Sequence, residues 1–553
     1  MESPRPENKP YLFPIVLVLF LLALFLRVVR AETIPFTRVD ADLAWQALEI
    51  SKLQPSGTSP LALYTGLTGL IFWITSASNF FARLIPALFG SLLVFIPYVL
   101  LDRNNLKSLL GLSLLLALDP ILVIYSRQSY GPIMAISTLA WTLVFLRKNK
   151  TLAAGITLGM AILAGKYFWI AIILAGLYIL IDFLLDKARF QGTINLFVKP
   201  SKTFLMSAFI SCFLISSSFF LNPSGLTGIA SGLVDLFAIN TLPSLPLFLP
   251  LFLLLTYSLY LLLPLGKALG NTPIHSRVLC WGFLFGLLLL IALFQNQLPG
   301  LYAFVELFLI FIIAKNIDVV QTFKPTITLV RLASFIFFAV ILIFTLLNLT
   351  QLSERILGEF SFINDILPIL LALVLILISH ILIGLGWGFG QTKPALQVAV
   401  LVIATFFSLG FSFSQTWNDG TTSQLLFTNS EILFPDSPIK NELSVFIENK
   451  VINPSTDSYK IEKLSSIGEN WVFKEFNSSA KASSLPAFII NDSVAESGLM
   501  SPYRGTTIVS ARRLNFSNKA YAELLHMISS KTLPVSDITR TLWVETVLFP
   551  GGK

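Results

Sequence analysis

Along most of the chain the apolar residues fall into blocks of about 15 to 23, separated by short polar stretches. Each block has about the length needed to cross a hydrocarbon core of roughly 30 Å. The blocks cover approximately 11–30, 60–78, 80–101, 108–124, 131–146, 151–164, 167–185, 203–221, 242–264, 277–295, 300–314, 327–349, 366–386 and 396–414. From Asn418 the pattern changes, and charges, Asn and Ser replace the Leu runs. There the stretches QLLFT, YKIEKL, WVFKEF, PAFIIN, GTTIVSARR and TLWVETVLF read as strands, and 439–451 and 518–528 as amphipathic helices. The pattern predicts a mainly α, polytopic membrane helix bundle over 1–417, followed by a small soluble α/β domain over 418–553.

Charge sets the expected orientation, because Lys and Arg collect in cytoplasmic loops. LRKNK at 146–150 and the basic stretches at 186–202, 265–277 and 315–324 mark four such loops. The basic-flanked N-terminus is expected in the cytoplasm and the first block is read as a retained helix, since Arg27 and Arg30 follow it without a small-residue cleavage site. Residues 31–59, the turn after Ile124, the acidic loop SERILGEFSFIND and the C-terminal domain are then extracytoplasmic. Parity requires about 13 crossings, so one early block fails to cross; 60–78 and its neighbours are the suspects. The expected location is the cell membrane, multi-pass.

Composition agrees with this reading: 55% of residues are hydrophobic, only 12% are charged, and the mean hydropathy is +0.78. The net charge of +8 sits largely in the loops and is no sign of a nucleic-acid partner. Cys212 and Cys280 lie in apolar segments and read as small hydrophobes. His275, His380 and His526 are too scattered for a zinc site.

The polar loop at 31–59 holds Asp40 and Asp42 beside an amphipathic stretch with Leu43, Ala47 and Ile50 on one face. Asp40 fits either a helix cap or a general base for an acceptor hydroxyl. In 116–132, Asp119 and Arg127 stand near the end of an apolar block; the guanidinium fits either an interfacial anchor or a phosphate ligand. Lys166 and Glu306 fit either a polar cavity or the interface, as do Tyr125 and Tyr130. Arg83 reads as structural.

In these residues the chain resembles the GT-C membrane glycosyltransferases, the superfamily of protein O-mannosyltransferases and aminoarabinose transferases. The likeness runs through an acid shortly before AWQALE, then Pro60, Leu61 and Tyr64, then ARLIPALFG at 82–90. It continues through PILVIYSR at 120–127 and a Gly-rich helix at 155–166 ending in Lys166. The tail resembles a flippase-associated, glycosyltransferase-related group. The resemblance implies an inverting enzyme that takes sugar from a polyprenyl-phosphate carrier and transfers it, on the extracytoplasmic side, to a glycan, lipid or protein acceptor. It implies Asp40 as the catalytic acid with Asp42 as fallback, and Arg127 and Lys166 on the donor phosphate. Tyr64, Tyr130 and Glu306 are expected to line the cavity.

No cofactor is fixed; a divalent cation, Mg or Mn, held by Asp40 stays open, although one or two acids make a poor cage. Val39 stands where many relatives have a second acid, and FQNQ before Pro299 lacks a basic residue. A catalytically degenerate subunit, or a lipid-linked-sugar transport protein, therefore stays open beside the enzyme. The sequence shows no internal repeat of the kind transporters carry.

Overall fold

Several helices begin at a capping side chain, as at Thr37, Ser78, Asp119 and Ser201. The computed structural model describes residues 12–53, 59–101, 106–185, 201–237, scattered positions of 249–261, 274–294, 300–315, 328–355 and 366–417. In the tail it describes 431–433, 458–462, 469–472, 474, 477–478, 488–491, 503–516, 523 and 534–545. The basic stretches within 186–200 and 316–324, most of the acidic loop, QLLFT, 439–451 and most of 518–528 lie outside the described residues.

The first apolar block is α1 (Leu12–Val28). The amphipathic stretch of the next loop is α2 (Arg38–Ser51), and its N-cap is Thr37, whose hydroxyl accepts from the Asp40 N–H at 3.1 Å. α3 (Ala62–Ile74) has 13 residues and rises only about 20 Å, short of a full crossing. α4 (Asn79–Leu92) is capped by Ser78 and runs through a 3₁₀ turn into α5 (Ile96–Leu100), giving a 22-residue apolar span over 79–100. α6 (Leu106–Leu118) and α7 (Pro120–Ser126) are two halves of one block, bent by 51° around Asp119. Pro120 cannot continue the preceding helix, and the Asp119 carboxylate restarts it by accepting from the Leu122 N–H at 2.7 Å.

After α8 (Ile133–Arg147) comes a second broken pair, α9 (Thr151–Ile162) and α10 (Lys166–Leu185), inclined at 114°. α9 packs closely on the helix Lys202–Ser216: a Cβ on Gly155 would sit 1.9 Å from Ser207 Oγ. Further helices span Gly228–Asp235, Ile274–Phe294, Leu301–Lys315, Leu329–Arg355, Leu367–Trp387 and Phe389–Trp417. In Leu367–Trp387, Leu371, Leu382 and Leu385 are exposed, as an outer helix facing lipid would have them. Among the described residues three helices are long and apolar enough to cross a membrane, or five if each bent pair is one span. Other blocks that the sequence reads as crossings are built as helices of 12 to 17 residues, such as α8 with 15.

The tail carries a six-stranded mixed sheet of order β1-β5-β6-β4-β2-β3. Its strands are β1 (Ile432–Leu433), β2 (Ser458–Glu462), β3 (Asn477–Ser478), β4 (Phe488–Asn491), β5 (Tyr503–Leu514) and β6 (Val535–Glu545). β5 and β6 form the long antiparallel centre, while β2 runs parallel to β3 and β4. YKIEKL, PAFIIN, GTTIVSARR and the start of TLWVETVLF fall on strands as predicted. WVFKEF does not: Glu469–Val472 is a helical turn. Its Trp471 is buried against Phe36 and Phe72 of the membrane half, a tertiary contact that overrides the strand propensity of the aromatic run.

Gly165 makes the sharp corner before α10. It has φ +72°, and a Cβ there would lie 2.7 Å from Leu61 Cδ1 and 2.8 Å from the Pro60 carbonyl oxygen. Gly165→Ala is expected to cost about 1–3 kcal/mol through backbone strain, read as a lowered unfolding temperature in detergent.

Candidate active site

The centre of the site is a short loop held by an arginine from a neighbouring helix. Arg83, on α4, is buried, and its Nη1 donates to the Ala31 and Ile34 carbonyls at 2.5 and 2.7 Å. Its Nη2 donates to the Pro35 carbonyl at 2.8 Å, and the guanidinium lies 4.1 Å from the centre of the Phe36 ring. Asn79 Nδ2 donates to the Glu32 carbonyl, and the Glu32 carboxylate accepts from the Phe80 N–H at 2.7 Å. The loop that leads into α2 is therefore fixed at 31, 32, 34 and 35. Arg83 has the structural role expected of it.

Asp40 sits in the first turn of α2 with no solvent exposure. It does not cap the helix, since Thr37 does; its own Oδ1 accepts from the Tyr130 backbone N–H at 2.7 Å. Its Oδ2 is buried without a hydrogen-bond partner. Burial pushes its pKa above the usual aspartate range, against the opposing pull of the Tyr130 amide and the Arg83 charge. Asp42 lies two residues further along the same helix, about 200° round it, and is only partly buried. The fold brings Asp40 to the 125–131 turn.

That turn supplies one cation. Arg127 caps the C-terminal end of α7, is nearly buried, and donates from Nη2 to the Val29 carbonyl. Arg83 and Arg30 stand near enough for their like charges to act on it. Three guanidinium groups thus lie around the loop that carries Asp40, an arrangement suited to a phosphate.

Tyr130 joins this turn to a second cluster. Its hydroxyl donates to Asp235 Oδ2 at 2.7 Å, and Lys166 Nζ lies 3.7 Å from the same oxygen. Lys166 also sits over the Tyr130 ring, 4.9 Å from its centre. Asp235 was not singled out in the sequence; the available signal was a lone acid within the apolar stretch SGLVDLF.

Tyr64 is buried and donates to the Ala82 carbonyl at 2.9 Å, between α3 and the start of α4. Glu306 belongs elsewhere, and the expectation that it lines the same cavity finds no contact among the described residues. It accepts from Ser258 Oγ at 2.6 Å and hydrogen-bonds Asp119, which in turn accepts from Tyr260 Oη at 2.7 Å. Arg27 stands beside this group and donates to Ser126 Oγ and to the Leu116 and Ala117 carbonyls. It forms a separate polar network inside the bundle, built where unpaired charges would be costly.

Among the described residues no three of His, Cys, Asp and Glu gather in one place. Asp40 and Asp42 are too few acids for a divalent ion caged by protein ligands.

No protein-family model matches the sequence, and no curated protein matches it either. Among solved structures, ArnT from Cupriavidus metallidurans bound to undecaprenyl phosphate is similar with a TM-score of 0.53 and 12% identity, over 97% of this chain and 97% of that one. The same protein in its apo state gives 0.49 and 13%, again over 97% of both chains. The apo oligosaccharyltransferase of Archaeoglobus fulgidus gives 0.27 and 15%, over 85% of this chain and 56% of that one. The first of these shows the fold: the chain shares the polytopic helix-bundle fold of that protein.

Arg83→Lys cannot reproduce the planar fork that serves three carbonyls. Each charged hydrogen bond lost is expected to cost about 1.5–3 kcal/mol. Faster amide exchange across 31–37 in the variant would record the loosened loop.

Proposed function

We propose that this chain is a membrane glycosyltransferase that moves a sugar from a polyprenyl phosphate to an acceptor hydroxyl on the extracytoplasmic face. The observation that carries the reading is the buried Asp40, with one oxygen held by Tyr130 and the other unpartnered, next to a turn bearing Arg127. It is supported by a fold shared with a protein that has been solved with undecaprenyl phosphate bound.

In this reading Asp40 takes the proton from the acceptor hydroxyl. The hydroxyl oxygen attacks the anomeric carbon, and the bond from that carbon to the phosphate oxygen breaks with inversion. The lipid phosphate leaves carrying the bonding electrons; its low pKa means that no acid is needed. Arg127, with Lys166 as a second contact, balances the charge that develops on it. A carboxylate raised by burial is a stronger base than an exposed one, which suits the proton transfer.

The single carboxylate at the site favours one second reading, a non-catalytic subunit of the same fold. Purified protein that transfers no sugar from any lipid carrier would establish it.

Asp40→Asn is expected to lower turnover by about 10²–10⁴-fold in folded protein, whereas Arg127→Ala is expected chiefly to raise the KM for the donor. Near-normal turnover of Asp40→Asn would end the assignment. Because Asp40 is raised, activity should fall with decreasing pH through a limb above the ordinary aspartate value of about 3.9. The stability effect has the opposite sense. Between the unfolded and the raised folded pKa the native state binds more protons, so stability falls as pH rises through that window. Asp40→Asn should therefore unfold at a higher temperature than the wild type at neutral pH.

The proposed orientation has its own check at two exposed positions, Thr33 and Asn149. A Thr33→Cys variant is expected to react with an impermeant thiol reagent in intact cells, and Asn149→Cys only after permeabilisation. The reverse pattern would overturn the topology.

A further inference from the structure

The loop that carries Asp40 is gripped from two sides, and only one grip comes from the membrane half. The other comes from the tail. Residues 36–38 lie along the outer edge of β1 as an added strand: Leu433 N–H donates to the Phe36 carbonyl at 2.8 Å, and Arg38 N–H donates to the Glu431 carbonyl at 2.7 Å. Thr37 and Ile432 form the antiparallel bridge between them. The Arg38 guanidinium lies 2.7 Å from the Glu431 carboxylate. Backbone pairing of this kind fixes φ and ψ of the residues that precede the first turn of α2, where Asp40 stands.

Trp471 completes the contact. Its ring stacks on Phe72 of α3 at 5.7 Å and meets Phe36 edge-on, also at 5.7 Å. Its Nε1 donates to Asn79 Oδ1 at 3.0 Å, and Asn79 donates in turn to the Glu32 carbonyl. The face of α2 formed by Ala41, Ala44, Ala47 and Leu48 packs into the same cluster with Leu433 and Ala511. α2 is thus held between the sheet on one side and the Tyr130 turn on the other.

We propose that Trp471 and β1 are positioning elements of the Asp40 site, so that the tail acts on the reaction by setting α2 rather than by touching substrate. The inference rests on Asp40 being the base. A buried carboxylate held by one amide at 2.7 Å has little tolerance. A shift of about 1 Å in a reacting group can cost on the order of 10²-fold in rate. Loss of the indole leaves a void between Phe36 and Phe72 and an unpaired Asn79 oxygen, and both relax toward the loop that feeds α2.

The test uses the full chain in a transfer assay with a polyprenyl-phosphate sugar. Trp471→Ala is expected to lower kcat by about 10–100-fold with little change in the donor KM, and Trp471→Phe, which keeps the ring contacts, to recover part of the loss. In an Asp40→Asn background Trp471→Ala should cost nothing further, because both act on one step. Unchanged kcat in folded Trp471→Ala, or a full additional loss on top of Asp40→Asn, overturns the proposal.

If the wild type transfers nothing, the enzyme reading fails while the clamp is read separately by amide exchange. The Arg38 and Leu433 amides should exchange slowly in the wild type and faster in Trp471→Ala. Equal rates in the two overturn the clamp.

Discussion

The Tyr130 backbone N–H donates to Oδ1 of Asp40 at 2.7 Å, across 90 residues of chain. An aspartate with no access to water needs such a donor, because an unpaired buried charge costs far more than a hydrogen bond returns. The Tyr130 amide joins the first polar loop to the turn after α7, which bears Arg127. Much of the surrounding architecture serves that distance. Arg83 fixes the loop before α2, Thr37 starts the helix, and the bend at Asp119 sets the direction in which α7 delivers Arg127 and Tyr130.

The electrostatics follow from the same packing. The Arg83 charge acts on the buried Asp40, Arg83 and Arg30 act on Arg127, and Lys166 is held nearby by Asp235 and the Tyr130 ring. Arg83 spends its donors on three carbonyls, so its role is to hold the loop while its charge acts on Asp40. A surplus of positive charge in a dry setting repels itself, and a dianionic or monoanionic phosphate relieves that repulsion. Arg27, Asp119, Glu306, Ser258 and Tyr260 form a second polar group at the bend.

Local signals were legible in the sequence wherever one segment carried them alone. Apolar blocks, the amphipathic α2 and four of the tail's strands all came from short windows, as did the choice of Asp40, Arg127 and Lys166, which the fold buries. What was lost depends on contacts between distant segments. Trp471 reads as part of a strand until Phe36 and Phe72 are seen beside it. Asp235 reads as a stray acid until Lys166 and Tyr130 meet it. Asp42 stood as the fallback to Asp40, because spacing along a helix says which residues share a face, but not which face meets a neighbouring turn. The 114° corner at Gly165 was hidden for a related reason, since only the approach of Pro60 and Leu61 makes a glycine necessary there.

The central proposal is geometric: Arg127 meets the lipid phosphate, and Asp40 Oδ2 meets the acceptor hydroxyl. A structure of the full chain with a polyprenyl phosphate bound tests it most directly. The account predicts the phosphate within hydrogen-bond reach of Arg127, with Asp40 still held by the Tyr130 amide and its Oδ2 facing the place of the acceptor hydroxyl. A phosphate seated away from Arg127, or Asp40 turned from it, would contradict the account.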